Sequence, residues 1–461
     1  MNDLTTVIVT LIVYQLVLLG IGYMARRRAS SISGFFLAGR KLGPWVAALS
    51  YAAGSSSAWS ILGVSGIAFT QGVSAVWLLP GTLLGHLVVW FVLAPRLQRQ
   101  SHEHGWITLT DVLAHGEHGA VSKATYLLSA FVVLFSFTFY IAAQFQGAAN
   151  TFTAVFDFPF VAALLLGAGV VLLYTFWGGF WAVSVTDALQ ALLMFGAALV
   201  LPALAVLQVL STDTHQPTTD VYWQLLGANQ GWFAVGFFIG MVSIGFGPLG
   251  QPHLLNRIMA MEKPQHIGVA RTIALLWFVV VLGGMFVLGV CARMLLDAAV
   301  PGEQVFFVML GDLLPAAVAG IFIAAVLSAI MSTADSQLLV AGAALQNDLK
   351  LSLFSPQAMA RLAVVVVAAA SVALALWLPE AIFSRVLFAW NALGAAFGPA
   401  LVARLLGIRV QGWALPAAIA TGFAATVVFY SLPNGPGDVW ERAIPFLLGV
   451  AVLWSSRWVK T

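Results

Sequence analysis

Residues 50–59 read SYAAGSSSAW and lie inside the long apolar stretch 43–71. Gly54 and the three serines that follow it weaken a helix at a depth where lipid offers no water to freed backbone groups. Irregular backbone survives there only where it is buried in protein or lines a cavity, and such breaks hold ions and solutes near the bilayer midplane. Small residues also allow close helix packing, which is the simpler explanation of this run alone. A matching polar segment elsewhere in the chain is needed to decide between the two.

The composition assigns the chain to the membrane proteins. Hydrophobic residues make up 61% of its 461 positions and charged residues only 8%, against about 25% charged residues in a soluble domain. The single cysteine, Cys291, excludes an intrachain disulfide and a thiolate metal cluster. The basic residues fall in short loops, where membrane topology accounts for them, so we expect a lipid bilayer and no nucleic acid as partner.

The hydropathy pattern predicts an all-α membrane protein with thirteen transmembrane helices in one domain, 1–461. No cleavable signal peptide and no soluble domain are evident. The predicted spans are 5–25, 43–71, 74–95, 122–153, 158–177, 183–210, 230–252, 271–296, 313–346, 359–378, 381–405, 411–431 and 440–456.

The distribution of basic residues predicts the orientation. With the amino terminus outside and the carboxyl terminus in the cytoplasm, only Arg293, Arg385 and Arg442 of the 20 Lys and Arg residues fall outside. Such a bias toward the cytoplasmic side supports both the odd number of spans and a multi-pass location in a bacterial plasma (inner) membrane.

The matching polar segment is the ninth span, where 324–340 read AAVLSAIMSTADSQLLV. Ser332 and Ser336 are four residues apart and share a helix face, with Thr333 beside them. Na⁺ is a hard cation that prefers oxygen ligands, and hydroxyls facing the carbonyls of a helix break supply them. Hydroxyls that bond back to their own helix are the alternative, but six polar side chains within ten residues exceed what that explains.

Asp187 is a second acidic candidate beside Asp335. It lies about one turn inside the sixth span, where it either faces the bundle interior or caps a helix start. No Lys or Arg is close to it in sequence. Because the two carboxylates lie at similar predicted depth, we expect them to share a cation or a proton.

A second helix break is predicted in 241–257, which read MVSIGFGPLGQPHLLNR. Three glycines and two prolines cannot all belong to an undisturbed helix. The two breaks are five spans apart, which predicts an inverted repeat of two five-helix halves, 43–210 and 230–405, with the broken first helix of each half at a central site.

These segments resemble the sodium/solute symporter family, most of all its sodium/proline symporter branch. The matching blocks are SSISGFFLAGRKLGPWVAALS (30–50), YTFWGGFWAVSVTDALQALLM (174–194), GFGPLGQPHLLNRIMA (245–260), AAVLSAIMSTADSQLLV (324–340) and WNALGAAFGPAL (390–401). The resemblance covers nearly the whole chain. It implies the five-plus-five inverted repeat of the leucine-transporter type, with one extra helix before it and two after.

The resemblance also implies site residues. The principal Na⁺ site would take the carbonyls of Ala53, Ser56 and Ala329 and the hydroxyls of Ser332 and Thr333. A further cation site would take Asp187, Ser332, Asp335 and Ser336. The solute cavity would be lined by Ser55, Ser57, Tyr140, Gln144, Ile244, Phe246 and Pro248.

Three of these positions differ from the sodium/proline symporter branch, which carries Asp where Ser55 stands and Trp and Tyr where Ile244 and Pro248 stand. Tyr140 is shared with that branch. We therefore expect Na⁺ coupling with a solute other than proline, either a small zwitterion such as an amino acid or an organic anion such as a carboxylate. Proline is the alternative substrate.

The expected activity is Na⁺-driven uptake by alternating access, with no enzymatic reaction. No HExxH motif, Cys/His cluster or Ser-His-Asp spacing occurs at membrane depth. A membrane sensor module remains the alternative, because the same module occurs fused to histidine kinases.

Overall fold

The computed structural model describes residues 2–25, 31–213, 216, 218–349, 355–377, 382–433 and 435–457. Within these residues the chain is helical and contains no β-strand, which confirms the all-α prediction. The α-helices are α1 (Asn2–Ala25), α2 (Ile32–Leu37), α3 (Pro44–Ser55), α4 (Val64–Gln71), α5 (Leu78–Val88), α6 (Ala94–His104), α7 (Leu109–Ala114), α8 (Gly119–Phe156), α9 (Phe160–Ser211), α10 (Gly231–Ser243), α11 (Pro252–Met259), α12 (His266–Leu295), α13 (Val305–Leu313), α14 (Ala316–Ala343), α15 (Pro356–Trp377), α16 (Ile382–Leu405), α17 (Ala414–Tyr430), α18 (Val439–Arg442) and α19 (Ile444–Ser455).

The lengths of these helices fit a multi-pass membrane protein. Among the described residues, eight helices are long and apolar enough to cross a bilayer, and three shorter apolar helices accompany them. Large apolar side chains such as Leu16, Phe131 and Leu210 are exposed, as expected of a surface that faces lipid. The number of thirteen crossings stays a prediction.

Two predicted spans are interrupted where the sequence places the breaks. α3 ends at Ser55, and Ser56 leaves the helical region with φ −105° and ψ 85° before a π-helical turn, Trp59–Gly63, leads into α4. α10 ends at Ser243, and the 3₁₀ segment Ile244–Gly250 separates it from α11. We call 56–57 the first break and 244–250 the second break.

Other boundaries differ from the prediction. The fifth and sixth predicted spans form one run, α9, which is interrupted only at Gly179, where φ 58° and ψ −170° require a residue without a Cβ. The third span continues past its predicted end through a π turn, Val89–Leu93, into α6. α13 lies in a predicted loop, because its short apolar sequence fell below the length of a span.

Close backbone approaches hold the second break in place. A Cβ on Gly85 of α5 would lie 2.0 Å from the carbonyl oxygen of Gly245, and a Cβ on Gly250 would lie 2.2 Å from that of Leu393 in α16. The second break is therefore packed between α5 and α16. The first break lies against α14 and α16, so the two broken helices meet in the interior of the bundle.

Candidate ion and solute site

The first break presents backbone carbonyls to two hydroxyls of α14. Ser332 Oγ donates to the carbonyl of Ala53 at 3.2 Å and of Ala329 at 3.3 Å. Thr333 Oγ1 lies 3.3 Å from the carbonyl of Gly54 and 3.0 Å from that of Ala329. All of these residues are buried.

This donor set fits a sodium ion. It contains only neutral oxygens, which a hard monovalent cation accepts, and the carbonyls lie at the negative end of helix α3. A hydroxyl can turn its proton away and offer a lone pair instead, so the same atoms can change from mutual hydrogen bonds to cation ligands. Of the five predicted residues, four lie in these hydrogen bonds; the fifth, Ser56, donates its N–H to Ala53 at 3.0 Å. Gly54 was not predicted as a ligand, since nothing in the sequence distinguishes its carbonyl from those of the neighbouring residues.

Asp187 lies in a buried ion pair with Arg257 of α11. Arg257 Nη2 donates to Asp187 Oδ2 at 2.9 Å, and both side chains are fully buried. Ser50 of α3 donates to the same carboxylate oxygen at 2.6 Å and accepts from Arg257 Nε at 3.0 Å. The basic partner of Asp187 is therefore distant in sequence. Arg257 falls between the predicted spans, but the second break returns the chain to the interior, where Arg257 belongs to the buried helix α11.

Ser336 joins this ion pair to the oxygen set of the first break. Its hydroxyl contacts Arg257 and Asp335 and donates to the carbonyl of Ser332 at 2.7 Å. Asp335 is buried beside it. Asp187, Asp335 and Ser336 therefore share one hydrogen-bond network, in which Arg257 supplies the positive charge. A second cation site at these residues stays a prediction.

Two residues of α8 carry the polar side of the predicted solute pocket. Gln144 Oε1 accepts from the backbone N–H of Ala58, the first residue after the first break, at 3.2 Å. Its Nε2 is buried and lacks a hydrogen-bond partner among the described residues, and the hydroxyl of Tyr140 is buried one helical turn away. Unpaired buried donors are costly, so they mark a place where a polar solute can bind.

The two pocket serines are less available to a solute. Ser55 donates to the carbonyl of Ala52 in its own helix at 3.0 Å, and Ser57 accepts from the N–H of Trp59 at 3.4 Å. Both hydroxyls therefore satisfy local backbone groups, as Ser and Thr often do at helix ends. Ser57 also faces the hydroxyl of Tyr140.

The second break carries the apolar residues of the predicted pocket, and Trp390 of α16 packs against it. The Trp390 indole donates to the carbonyl of Ile244 at 3.1 Å, and Gln251 Nε2 donates to the carbonyl of Trp390 at 3.0 Å. Ile244 and Pro248 are buried, and Phe246 stacks on Phe446 with ring centroids 4.2 Å apart. Trp390 was not among the predicted pocket residues, although it opens the block 390–401; a Trp close to two glycines in a span is the signal.

Comparison with known proteins shows the family of this chain. The profile described as the sodium:solute symporter family matches residues 35–416. The high-affinity proline transporter PutP of Bacillus subtilis is 32% identical over 92% of both chains. The sodium/proline symporter of Escherichia coli is 33% identical over 88% of this chain and 84% of its own.

Solved structures show the same fold. A Na⁺-coupled sialic acid symporter in a substrate-bound outward-open state superposes with a TM-score of 0.82, at 14% identity, over 99% of this chain and 98% of its own. The nucleobase-cation-symport-1 family transporter Mhp1 superposes with a TM-score of 0.57, at 13% identity, over 92% and 94%. The leucine-transporter type of fold and the family resemblance are thereby confirmed, and the chain belongs to the sodium:solute symporter family.

Proposed function

We propose that this protein imports a small zwitterion or organic anion together with Na⁺ by alternating access. The observation that carries the proposal is the contact of Ser332 and Thr333 in α14 with the carbonyls of Ala53 and Gly54 at the first break. A cation held by these oxygens ties α3 to α14. Movement of one Na⁺ down a potential of 100 mV releases about 2.3 kcal/mol, which can drive solute accumulation.

The coupling follows from the adjacency of the ion and solute sites. Ala53 and Gly54 lie before the first break, and Ala58, which Gln144 binds, lies directly after it. Na⁺ bound to the carbonyls of Ala53 and Gly54 would therefore also fix the position of Ala58, whose N–H faces the proposed solute site. Obligatory coupling requires that neither ligand alone favours the closed state.

The chemistry of the pocket favours a ligand with a carboxylate. Gln144 Nε2 is a free donor, and the N–H of Ala58, at the start of the helix that resumes after the first break, lies beside the same side chain. An ammonium group would meet carbonyls at the end of α3. The proline transporters among the relatives support an amino acid, while Ile244 and Pro248 favour a solute other than proline.

Three finer points belong to the same proposal. The protein lies in a bacterial inner membrane with its amino terminus outside and its carboxyl terminus in the cytoplasm, which the distribution of Lys and Arg supports. The repeats 43–210 and 230–405 each begin with a broken helix. Asp187, Asp335 and Ser336 form a second cation site that competes with Arg257 for the carboxylate of Asp187.

A thermal-shift screen of amino acids and carboxylates tests the proposal. The purified protein is heated with each compound in Na⁺ buffer and in K⁺ buffer of equal ionic strength. At a ligand concentration of 100 Kd, binding stabilises the folded state by about 2.7 kcal/mol. We expect at least one compound to raise the Tm in Na⁺ and not in K⁺. Equal shifts in both buffers for every active compound would contradict Na⁺ coupling.

A further inference from the structure

A polar cavity lies apart from the residues of the predicted solute pocket. It measures about 370 Å³ and lies between α4, α5, α10, α16, α17 and the segment 437–442. We call it the outer cavity, since the predicted orientation places it on the outside. Its polar lining consists of Gln71, Ser384, Tyr430, Asp438, Glu441 and Arg442.

Both signs of charge face this cavity. Arg442 Nη2 donates to Asp438 Oδ2 at 2.6 Å, and Asn391 donates to Glu441 Oε1 at 2.9 Å. Arg442 and Glu441 are only 6% and 9% exposed. The described charged groups that line the cavity therefore sum to two carboxylates and one guanidinium.

The guanidinium of Arg442 is incompletely satisfied. Its Nε is buried and lacks a hydrogen-bond partner among the described residues, and its Nη1 reaches only the sulfur of Met241 at 3.5 Å. An arginine has five donors, and a thioether is a weak acceptor. A buried donor of a charged group is costly when unpaired, so Nε is the natural partner of an incoming anionic oxygen.

We propose that the outer cavity is a second binding site for zwitterionic amino acids. The carboxylate of the ligand accepts from Arg442 Nε, and its ammonium group lies between Glu441 and Asp438. Because the two carboxylates outnumber the guanidinium, the cavity repels simple anions. The buried guanidinium of Arg442 in turn disfavours simple cations. This inference rests on the proposed function in its ligand class, but it requires no Na⁺, because the neutral oxygen set of the first break lies elsewhere.

The cavity is connected to both broken helices. Gln71 ends α4, and Met241 belongs to α10, so the cavity touches one half of each. Gly437, with φ 68°, packs its backbone against α10 so closely that a Cβ on Gly240 would lie 1.9 Å from the Gly437 carbonyl oxygen. A ligand that bridges Glu441 and Arg442 would therefore contact both helices that the proposed alternating access involves, which fits an entry site for the solute.

Saturation-transfer NMR of the protein in nanodiscs tests this site. The probes are L-proline and L-leucine, in K⁺ buffer without Na⁺, beside N-acetyl-L-proline and L-prolinamide, which each lack one charge. We expect signals from both amino acids and at least fivefold weaker signals from the two analogues. E441Q keeps the hydrogen bond from Asn391 but removes the charge, and R442Q removes the anion partner; each should lower the amino-acid signals at least fivefold.

The control variant is R293Q, which removes another arginine predicted to lie outside but not lining the cavity; its signals should equal those of the parent. The Na⁺-dependent thermal shift of the central site should survive in E441Q, which separates failure of this site from failure of the proposed function. Equal signals from the analogues, or unchanged signals in both E441Q and R442Q, would overturn the proposal. An absence of any signal in K⁺ buffer would overturn it as well.

Discussion

The two helix breaks differ in the side chains that donate hydrogen bonds to their backbone carbonyls. At the first break, Ala53 and Gly54 meet the hydroxyls of Ser332 and Thr333. At the second break, the carbonyl of Ile244 meets the indole N–H of Trp390. A hydroxyl can donate or accept, whereas an indole nitrogen can only donate. The hydroxyls at the first break can therefore become cation ligands, whereas the indole of Trp390 at the second break cannot.

Packing adds to this difference. The second break is closed by glycine backbones against α5 and α16, while Gly54 at the first break has only side chains as neighbours, none nearer than 3.7 Å to its Cβ position. One kind of broken helix thus serves two purposes. In the proposed function, the first break would bind the ion, and the second would form part of the wall of the solute pocket.

Arg257 connects the two breaks. It belongs to α11, directly after the second break, and it contacts Ser50 of α3, before the first. It is also paired with Asp187 of α9. The predictions below separate the contribution of this link from those of the breaks themselves.

Replacing Asp187 with Asn should have the largest effect. It leaves the buried guanidinium of Arg257 without its counter-ion, which costs about 3–5 kcal/mol. We expect a large fall in the Tm measured by fluorescence-detected size exclusion. The double variant Asp187→Asn/Arg257→Gln should recover most of that loss.

The same pair of variants distinguishes an ion pair from a cation site. If Asp187 also binds Na⁺, the double variant will fold but show a lower Na⁺ Hill coefficient in uptake. An Asp187→Asn protein with the Tm, Hill coefficient and pH profile of the parent would contradict both roles.

A glycine-to-alanine substitution at or beside each break tests the difference in packing. A Cβ at Gly250 would lie 2.2 Å from the backbone oxygen of Leu393, so Gly250→Ala should lose about 1–3 kcal/mol of stability and most of the transport. Gly54→Ala is the matched control, because its Cβ meets only ordinary contacts. Equal Tm values for the two variants would show that the second break is not closed by backbone packing.

Removing either hydroxyl at the first break should weaken Na⁺ binding. Ser332→Ala or Thr333→Ala should raise the Na⁺ concentration for half-maximal uptake roughly tenfold, which corresponds to about 1.4 kcal/mol. Ser328→Ala is the control on the same helix, since Ser328 instead contacts Tyr14 and Ala324. Unchanged Na⁺ dependence in both Ser332→Ala and Thr333→Ala would exclude this site.

The smallest expected effect concerns specificity at the second break. Ile244 and Pro248 offer neither an aromatic face nor a hydroxyl. The loss of such groups lowers the affinity for a solute that needs them by roughly tenfold or more. Proline should therefore compete poorly with the preferred solute in uptake assays. Saturable Na⁺-dependent proline uptake with micromolar half-saturation would show that the pocket recognises proline by other groups.

The sequence predicted the parts that depend on local chemistry. The glycines and the proline of 244–250 and the serines after Gly54 weaken a helix locally, and six polar side chains within ten residues mark the segment of Ser332 and Thr333. The sequence did not predict the features that depend on tertiary contacts. Arg257 was counted as a loop residue because nothing local shows that the chain re-enters the core after Pro252. A buried carboxylate at Asp187, however, required a partner, and that requirement was the available signal.

The most direct measurement is ²²Na⁺ uptake into proteoliposomes, with and without the solute that the thermal-shift screen identifies. The account predicts that this solute accelerates ²²Na⁺ entry, that an inward Na⁺ gradient accumulates the solute above its external concentration, and that Ser332→Ala requires roughly tenfold more Na⁺ for both. Solute uptake of equal rate and extent with K⁺ in place of Na⁺, and ²²Na⁺ entry independent of the solute, would contradict it.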